Sequence, residues 1–389
     1  MLLIKGAKIY PVVGSAIESG MMLIDDAGKI VSVGTSVEAP ANTPVLDMTG
    51  KVILPGLIDA HSHVGVWGDG EGSAGYDGNE MPDPVNAKVN VLDSTNPLQR
   101  SFNSAREGGI TTLQILPGSG NPIGGEGFVA KTKGVIVDEM VVRNPSGLKG
   151  ALGENPKRFH GQNLKHAPST RMGTAGLIRE YFQKAAIYMK NKEKAQADGK
   201  TFDMDLNMEP GVKVLRKEMP FRVHAHRHDD IVTAIRLCEE LGIDYSIEHC
   251  TDGHLIADFL GSRKVVAHVG PGLSSRSKVE TANFTDKNPG ILAKAGVKVC
   301  LVTDHPFLDC RYFMAYGAVS HKQGMSFDET LKSMTINPAE SLGVANRVGS
   351  LEAGKDADFI VLSGEPFIYT SVILETYIEG EKVWQRPVY

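Results

Sequence analysis

Four short stretches of the chain end an apolar run with histidine or aspartate. Asp59-Ala60-His61-Ser62-His63 follows Val52-Ile53-Leu54-Pro55-Gly56-Leu57-Ile58. Val223-His224-Ala225-His226-Arg227-His228 is the second stretch and Tyr245-Ser246-Ile247-Glu248-His249 the third. Val299-Cys300-Leu301-Val302-Thr303-Asp304-His305 is the fourth. Residues i and i+2 of a strand point to one face, so His61 and His63 can grip one ion from one side. Neutral imidazole is a common ligand for Zn²⁺ and similar metals. Each residue alone has a plainer reading. A lone His-x-His pair is weak, His249 alone reads as a hydrogen-bonded core histidine, and Asp304 alone reads as a cap or loop residue. Four successive strand ends of this kind are another matter. Packing does not require imidazoles there, and buried polar groups are costly unless paired.

The elements that carry these residues alternate. GLIDAHSH, GITTLQILPG, GLKGALG, FRVHAHR, YSIEHC, KVVAHVG and VKVCLVTD are short apolar runs with polar ends. Helical stretches such as DDIVTAIRLCEELG and NPGILAKAG lie between them, which argues for parallel β/α units. In the first of these helices Asp229 is placed to cap and Gly242 to stop the run. The expected fold class is α/β, a (β/α)₈ TIM barrel whose strand ends converge on one mouth. The first ~50 residues and the last ~40 instead have strand-and-turn texture. Residues 155–215 are polar and less regular and read as an insertion or lid, with Tyr181–Lys200 as a surface helix.

Composition bounds the reading. The chain has 389 residues, 41% of them hydrophobic, ample for a large core and two to three domains as a prior. Net charge is −5 and no basic run suggests nucleic acid or a membrane surface. No apolar run approaches the ~20 residues that span a bilayer, and the N-terminus does not read as a signal peptide. The four cysteines form no CxxC pair and read as free thiols of a reducing compartment, which makes the cytoplasm the expected location. Gly118-Ser119-Gly120 and Gly124-Gly125 match neither a GxGxxG nor a P-loop pattern, so they do not argue for a nucleotide.

PGLIDAHSH resembles the first-strand motif of the amidohydrolase superfamily, and GGITT, SIEHC, LVTDHP and the closing GSLEAGKDADFIVL fall in that family's order. The resemblance spans nearly the whole chain and is nearest to the imidazolonepropionase-related and Xaa-Pro dipeptidase-like branches. It implies a barrel over 55–345 and a small β-sandwich domain assembled from 1–54 and 346–389. It implies two divalent ions, with zinc expected. His61, His63 and Asp304 hold the more buried one, and His224 and His249 the other, with His226 the alternative to His224. A bridging ligand from the third or fourth strand is expected, first a carboxylated Lys149, with Lys131 and Glu154 as rivals. Asp304 is expected to act as general base and then general acid. Arg158, Arg171, Arg222 and Arg227 are candidates to bind a substrate carboxylate through two-pronged contacts, with Arg171 in Ser169-Thr170-Arg171-Met172-Gly173 preferred. His268 is expected at the substrate oxygen. The expected activity is hydrolysis of a non-ester C–N bond in a cyclic amide, an N-acyl compound or a dipeptide. The alternatives are a one-metal deaminase of a ring amidine and, from another class, a non-catalytic assembly protein. The expected partner is a small-molecule substrate, in a homo-oligomer, with no nucleic acid and no membrane.

Overall fold

The computed structural model describes residues 1–68 and 72–387. Its centre is an eight-stranded sheet in consecutive order: Leu57–Ser62, Ile110–Ile115, Ile123–Lys131, Val141–Ala151, Phe221–Ala225, Tyr245–His249, Val266–Val269 and Lys298–Leu301. The second strand and the fifth to seventh are buried, or nearly so, along their whole length, yet they carry polar residues such as Gln114, Arg222, Glu248 and His268 among the apolar ones.

The expectation of eight parallel β/α units is corrected at the third strand. Ile123–Lys131 runs antiparallel to both of its neighbours. Only residues 116–122 separate it from the second strand. A parallel crossover needs a dozen or more residues, so the chain has to turn straight back. The first and last strands meet without a regular ladder. Asp304 N–H donates to the His61 carbonyl at 3.0 Å, and His63 N–H to the His305 carbonyl at 3.1 Å. The buried Asp59 carboxylate joins the same seam, accepting from Thr303 N–H at 3.2 Å and from the Thr303 hydroxyl.

Helices cover the outside of the sheet. His228–Leu241 buries Ile231, Ala234, Ile235, Leu237 and Cys238, and stops at Gly242 with φ 65°. Asp229 does not cap it. Arg227 holds the cap position, and Asp229 pairs with the Arg227 guanidinium at 2.8–2.9 Å from inside the first turn. The stretch expected as a lid is largely a wall. Arg171–Ala197 is one helix, capped by the Thr170 hydroxyl, and it buries Ile178, Tyr181, Phe182 and Ala185. The Phe182 ring meets the Phe221 ring of the fifth strand at 5.2 Å. All four cysteines are buried free thiols. Among the described residues no helix is long and apolar enough to cross a membrane.

The two chain ends share a second eight-stranded sheet. Val52–Pro55, which leads into the barrel, pairs antiparallel with Phe359–Leu362, which follows it. Ile4, Ile9, Met22, Ile53, Phe359 and Tyr377 form a core of their own there, and the Phe359 and Tyr377 rings stack at 4.3 Å. Lys131 ties this sheet to the barrel through Asp356 at 2.9 Å and Asp358. Because the third strand is reversed, Lys131 ends it away from the mouth. That position and its two carboxylate partners remove Lys131 as a bridging ligand.

Candidate metal centre

His61 and His63 close the first strand with both ring Nε2 atoms aimed at one carboxylate oxygen. The distances to Asp304 Oδ1 are 3.5 and 3.2 Å. Their other nitrogens are occupied: His61 Nδ1 by Glu248 Oε2 at 2.6 Å and His63 Nδ1 by the Leu116 carbonyl at 2.8 Å. A ring held at Nδ1 presents its Nε2 lone pair to the space in front of it. Asp304 and His249 sit at φ 52° and 74°, in the left-handed region. For non-glycine residues this costs on the order of 1–3 kcal/mol and is commonest where a site demands it.

A second group stands beside the first. His224, His226 and His249 bring ring nitrogens within 4.8 Å of one another, as do donor atoms of His61, His63 and Asp304. His249 Nδ1 donates to the Gly270 carbonyl at 2.8 Å, and His226 Nδ1 lies 2.7 Å from Thr251 Oγ1. Among the described residues, His224 is buried with no hydrogen-bond partner on either ring nitrogen. A buried imidazole left bare is costly, and a metal ligand is the role that relieves the cost. The donor set therefore fits divalent ions at both groups.

Lys149, on the fourth strand, is 1% exposed. Its Nζ is 3.1 Å from His61 Nε2. Burial pulls its pKa from 10.5 to about 8, against the opposing pull of Glu248 and Asp304. Burial also holds His61, His224, His226 and His249 below the ordinary imidazole range, so the rings are neutral, as ligation requires. Glu154 belongs to neither donor group among the described residues. It contributes its backbone N–H, which donates to Glu280 Oε2 at 2.9 Å.

The expected substrate contacts are largely rearranged. His268 does not face the mouth. It pairs in register with Glu248, is fully buried, and its nitrogens meet Glu248 Oε2 and Ser341 Oγ at 2.8 Å each. Arg222 is buried inside the barrel and donates to Ser246 Oγ at 3.1 Å and to the Ser341 carbonyl at 2.8 Å. Arg227 is taken by Asp229, and Arg158 lies over the Phe159 ring at 5.0 Å. Arg171 begins its helix with Nε on both Asp230 oxygens, at 3.1 and 2.9 Å, and is partly exposed.

Three residues at the site escaped the sequence reading. Glu280, on the segment after the seventh strand, puts Oε1 3.7 Å from Nε2 of both His224 and His226, and Lys278 pairs with it at 2.7 Å. Gly153 makes room for it, since a Cβ there would lie 2.7 Å from Glu280 Oε2. Trp67 packs on His63 at 4.2 Å between ring centres, and Phe307 on Trp67 at 5.6 Å. All three follow barrel strands, and that position was the only signal available for them. A further set, His305, Asp309 and Cys310, brings donor atoms together. There Arg311 holds the Asp309 carboxylate at 2.6 Å, and burial pushes the Cys310 thiol far up, so it is a poor ligand.

Comparison with known proteins agrees with this geometry. The amidohydrolase family model matches residues 188–383. The chain is 26% identical over 376 residues to the amidohydrolase TasK of Hapsidospora irregularis, a match that covers 90% of this chain but 38% of that protein. It is 26% identical over 390 residues to the imidazolonepropionase of Fusobacterium nucleatum, covering 91% of this chain and 87% of the relative. The crystal structure of an amidohydrolase from Thermotoga maritima MSB8 superposes with a TM-score of 0.96 at 44% identity, over 99% of this chain and 100% of that one.

Proposed function

From the premise that this chain belongs to the amidohydrolase family, we propose that it is a two-metal hydrolase of a cyclic amide, an N-acyl compound or a dipeptide. The coarser statement stands on the family itself: the chain is an enzyme acting on C–N bonds, in a metal-dependent family. The two-metal reading rests on one observation. Two buried groups, five imidazoles and the Asp304 carboxylate, stand side by side, and Lys149 Nζ approaches the first at 3.1 Å.

In this reading His61, His63 and Asp304 hold one ion and His224 and His249 the other. His226 is the nearest further imidazole of the second group. Lys149 would supply the anion between the two as a carbamate, its neutral amine adding CO₂ and releasing one proton to solvent. Zinc suits the nitrogen-rich donor set. Bound divalent ions would supply Lewis-acid chemistry there, lowering the pKa of water toward ~7 and polarising a carbonyl. Asp304 accepts the proton of the attacking water and returns it to the leaving nitrogen. Trp67 and Phe307 offer an apolar wall to one flank of the substrate. Arg171 is the cation at the rim that a substrate carboxylate would meet. A non-catalytic role would leave both donor groups unexplained.

The same reading takes 1–54 and 346–389 as one β-sandwich unit beside a barrel of 55–345. The shared sheet and its separate core support it. A cytoplasmic homo-oligomer completes the proposal.

Metal analysis coupled to a hydrolysis screen over N-acyl amino acids, dipeptides and cyclic amides tests it. About two ions per chain and turnover in one of these classes are expected. One ion per chain with ammonia released from a ring amidine would replace this reading with the deaminase.

A further inference from the structure

Barrels of this kind usually fill the space beneath their mouth with branched apolar side chains. Here that space holds Arg222 from the fifth strand, Ser246 and Glu248 from the sixth, and His268 from the seventh, each no more than 1% exposed. Burying so many polar groups is costly unless they are paired, and of these four side chains only Arg222 leaves a donor, its Nε–H, without a partner among the described residues.

The contacts join into one network in which Glu248 accepts throughout. An ionised glutamate can only accept, and against burial, contacts with His268 and His61 hold the Glu248 carboxyl well below the usual range. Its Oε2 takes His61 Nδ1–H at 2.6 Å and His268 Nδ1–H at 2.8 Å, and its Oε1 takes the Ser246 hydroxyl. Arg222 Nη1 donates to Ser246 Oγ at 3.1 Å and to Ser341 Oγ at 3.0 Å. His268 Nε2 in turn lies 2.8 Å from Ser341 Oγ. The network thus runs from Arg222 at its lower end to His61 at its upper end. It holds one cation and one carboxylate, and its last member is a ring whose Nε2 faces Asp304 and Lys149.

We propose that Glu248, braced by His268, Ser246 and Arg222, is the positioning residue that makes His61 a metal ligand through Nε2. The inference rests on the metal-dependent reading of the site and adds the group behind the ligand. Glu248 fixes the ring's tautomer and angle, and its charge strengthens the donor. His268, a residue that resembled a substrate contact in the sequence, serves this brace instead.

The test is Glu248→Gln with His268→Asn as the second variant. Glutamine keeps the volume and one carbonyl acceptor but loses the charge, so the barrel retains its packing. Zinc affinity is measured by competition with a chromophoric chelator, and the cobalt-substituted protein by its visible d–d absorption. Circular dichroism and the Tm of the metal-free proteins serve as fold controls. In Glu248→Gln the affinity of one of the two ions should fall roughly 10–100-fold with an altered cobalt spectrum. His268→Asn should weaken the same ion less. With ions saturating, kcat should fall while KM holds. Wild-type affinity and an unchanged cobalt spectrum in both variants would overturn the proposal. So would a change confined to the Tm, which is what a merely structural role predicts. If the wild-type protein itself bound no ion, the metal-dependent reading would fail first and this proposal with it.

Discussion

Replacing Lys149 by methionine should stabilise the metal-free protein and abolish binding of the second ion. The two effects have one cause. Burial lowers the Lys149 pKa from 10.5 to about 8. At pH 7 that raises the neutral fraction of the amine from roughly 0.03% to roughly 10%, about 300-fold, and only the neutral amine can add CO₂. The same fall disfavours the buried ammonium by roughly 3 kcal/mol. The sign follows from linkage. Below pH 8 both folded and unfolded chains carry the proton, and the folded one bears the full cost. Between about 8 and 10.5 the folded chain releases its proton first, so the cost fades as pH rises. Methionine of similar length removes that cost. Metal-free Lys149→Met should therefore be more stable than metal-free wild type at pH 7, by up to roughly 3 kcal/mol in urea unfolding, with the difference shrinking above pH 8. The metal-loaded comparison should run the other way. Wild-type apoprotein depleted of CO₂ should take up one ion readily and the second only when bicarbonate is added. At fixed dissolved CO₂, that uptake should quicken with pH and level off above about 8. Lys149→Met should hold one ion whatever the bicarbonate. Lys149→Ala, which leaves space, should regain part of its activity with short carboxylic acids. A Lys149→Met protein that binds two ions, or whose metal-free form is less stable than wild type at pH 7, would refute the reasoning.

Asp304→Asn should fold with a Tm near wild type but lose about 10²–10⁴-fold in kcat, since an amide cannot take the proton. Near-normal turnover in the metal-replete variant would exclude its acid–base role. Lys131→Met should cost roughly 3–5 kcal/mol by stranding a buried carboxylate. Asp356 keeps Lys29 and Arg347, so the loss falls on Asp358, whose carboxyl burial already pushes up. Its pKa should climb further without Lys131. The destabilisation should then be larger at pH 8, where Asp358 is charged, than at pH 5, and equal losses in urea melts at both values would count against this account. Gly150→Ala would set a Cβ 2.6 Å from the Pro122 carbonyl oxygen and against the Phe221 ring. Backbone cannot yield as a side chain can, so a loss of about 1–3 kcal/mol is expected. Because Lys149 is the next residue, metal content should fall with the Tm, and a variant with normal metal content would argue that the strand absorbs the change elsewhere.

Much of the site was legible because its signals are local. His61 and His63 are two residues apart on a strand, and that alone puts them on one side of it. Apolar runs ending in His224, His249 and Asp304 marked strand ends, and strand ends in a barrel share a mouth. The helix His228–Leu241 and its stop at Gly242 followed from periodicity in the same way. Residues 123–131 are different. Their glycines hid a strand, and the shortness of the turn before it, which reverses that strand and carries Lys131 away from the mouth, is visible only once the strand is known. The direction of His268 is likewise a matter of register. Paired opposite Glu248, it points under the metal centre rather than over it, and no pattern within VVAHVG encodes the neighbour's alignment. Glu280 and Trp67 reach the histidines from segments with no periodicity at all. The sequence by itself determined which side chains could hold ions and which elements carried them. Strand order, strand direction and register belong to the tertiary structure, because hydrogen bonds between residues far apart in the chain set them. They decided that Lys149 rather than Lys131 meets His61, and that a buried carboxylate stands behind it.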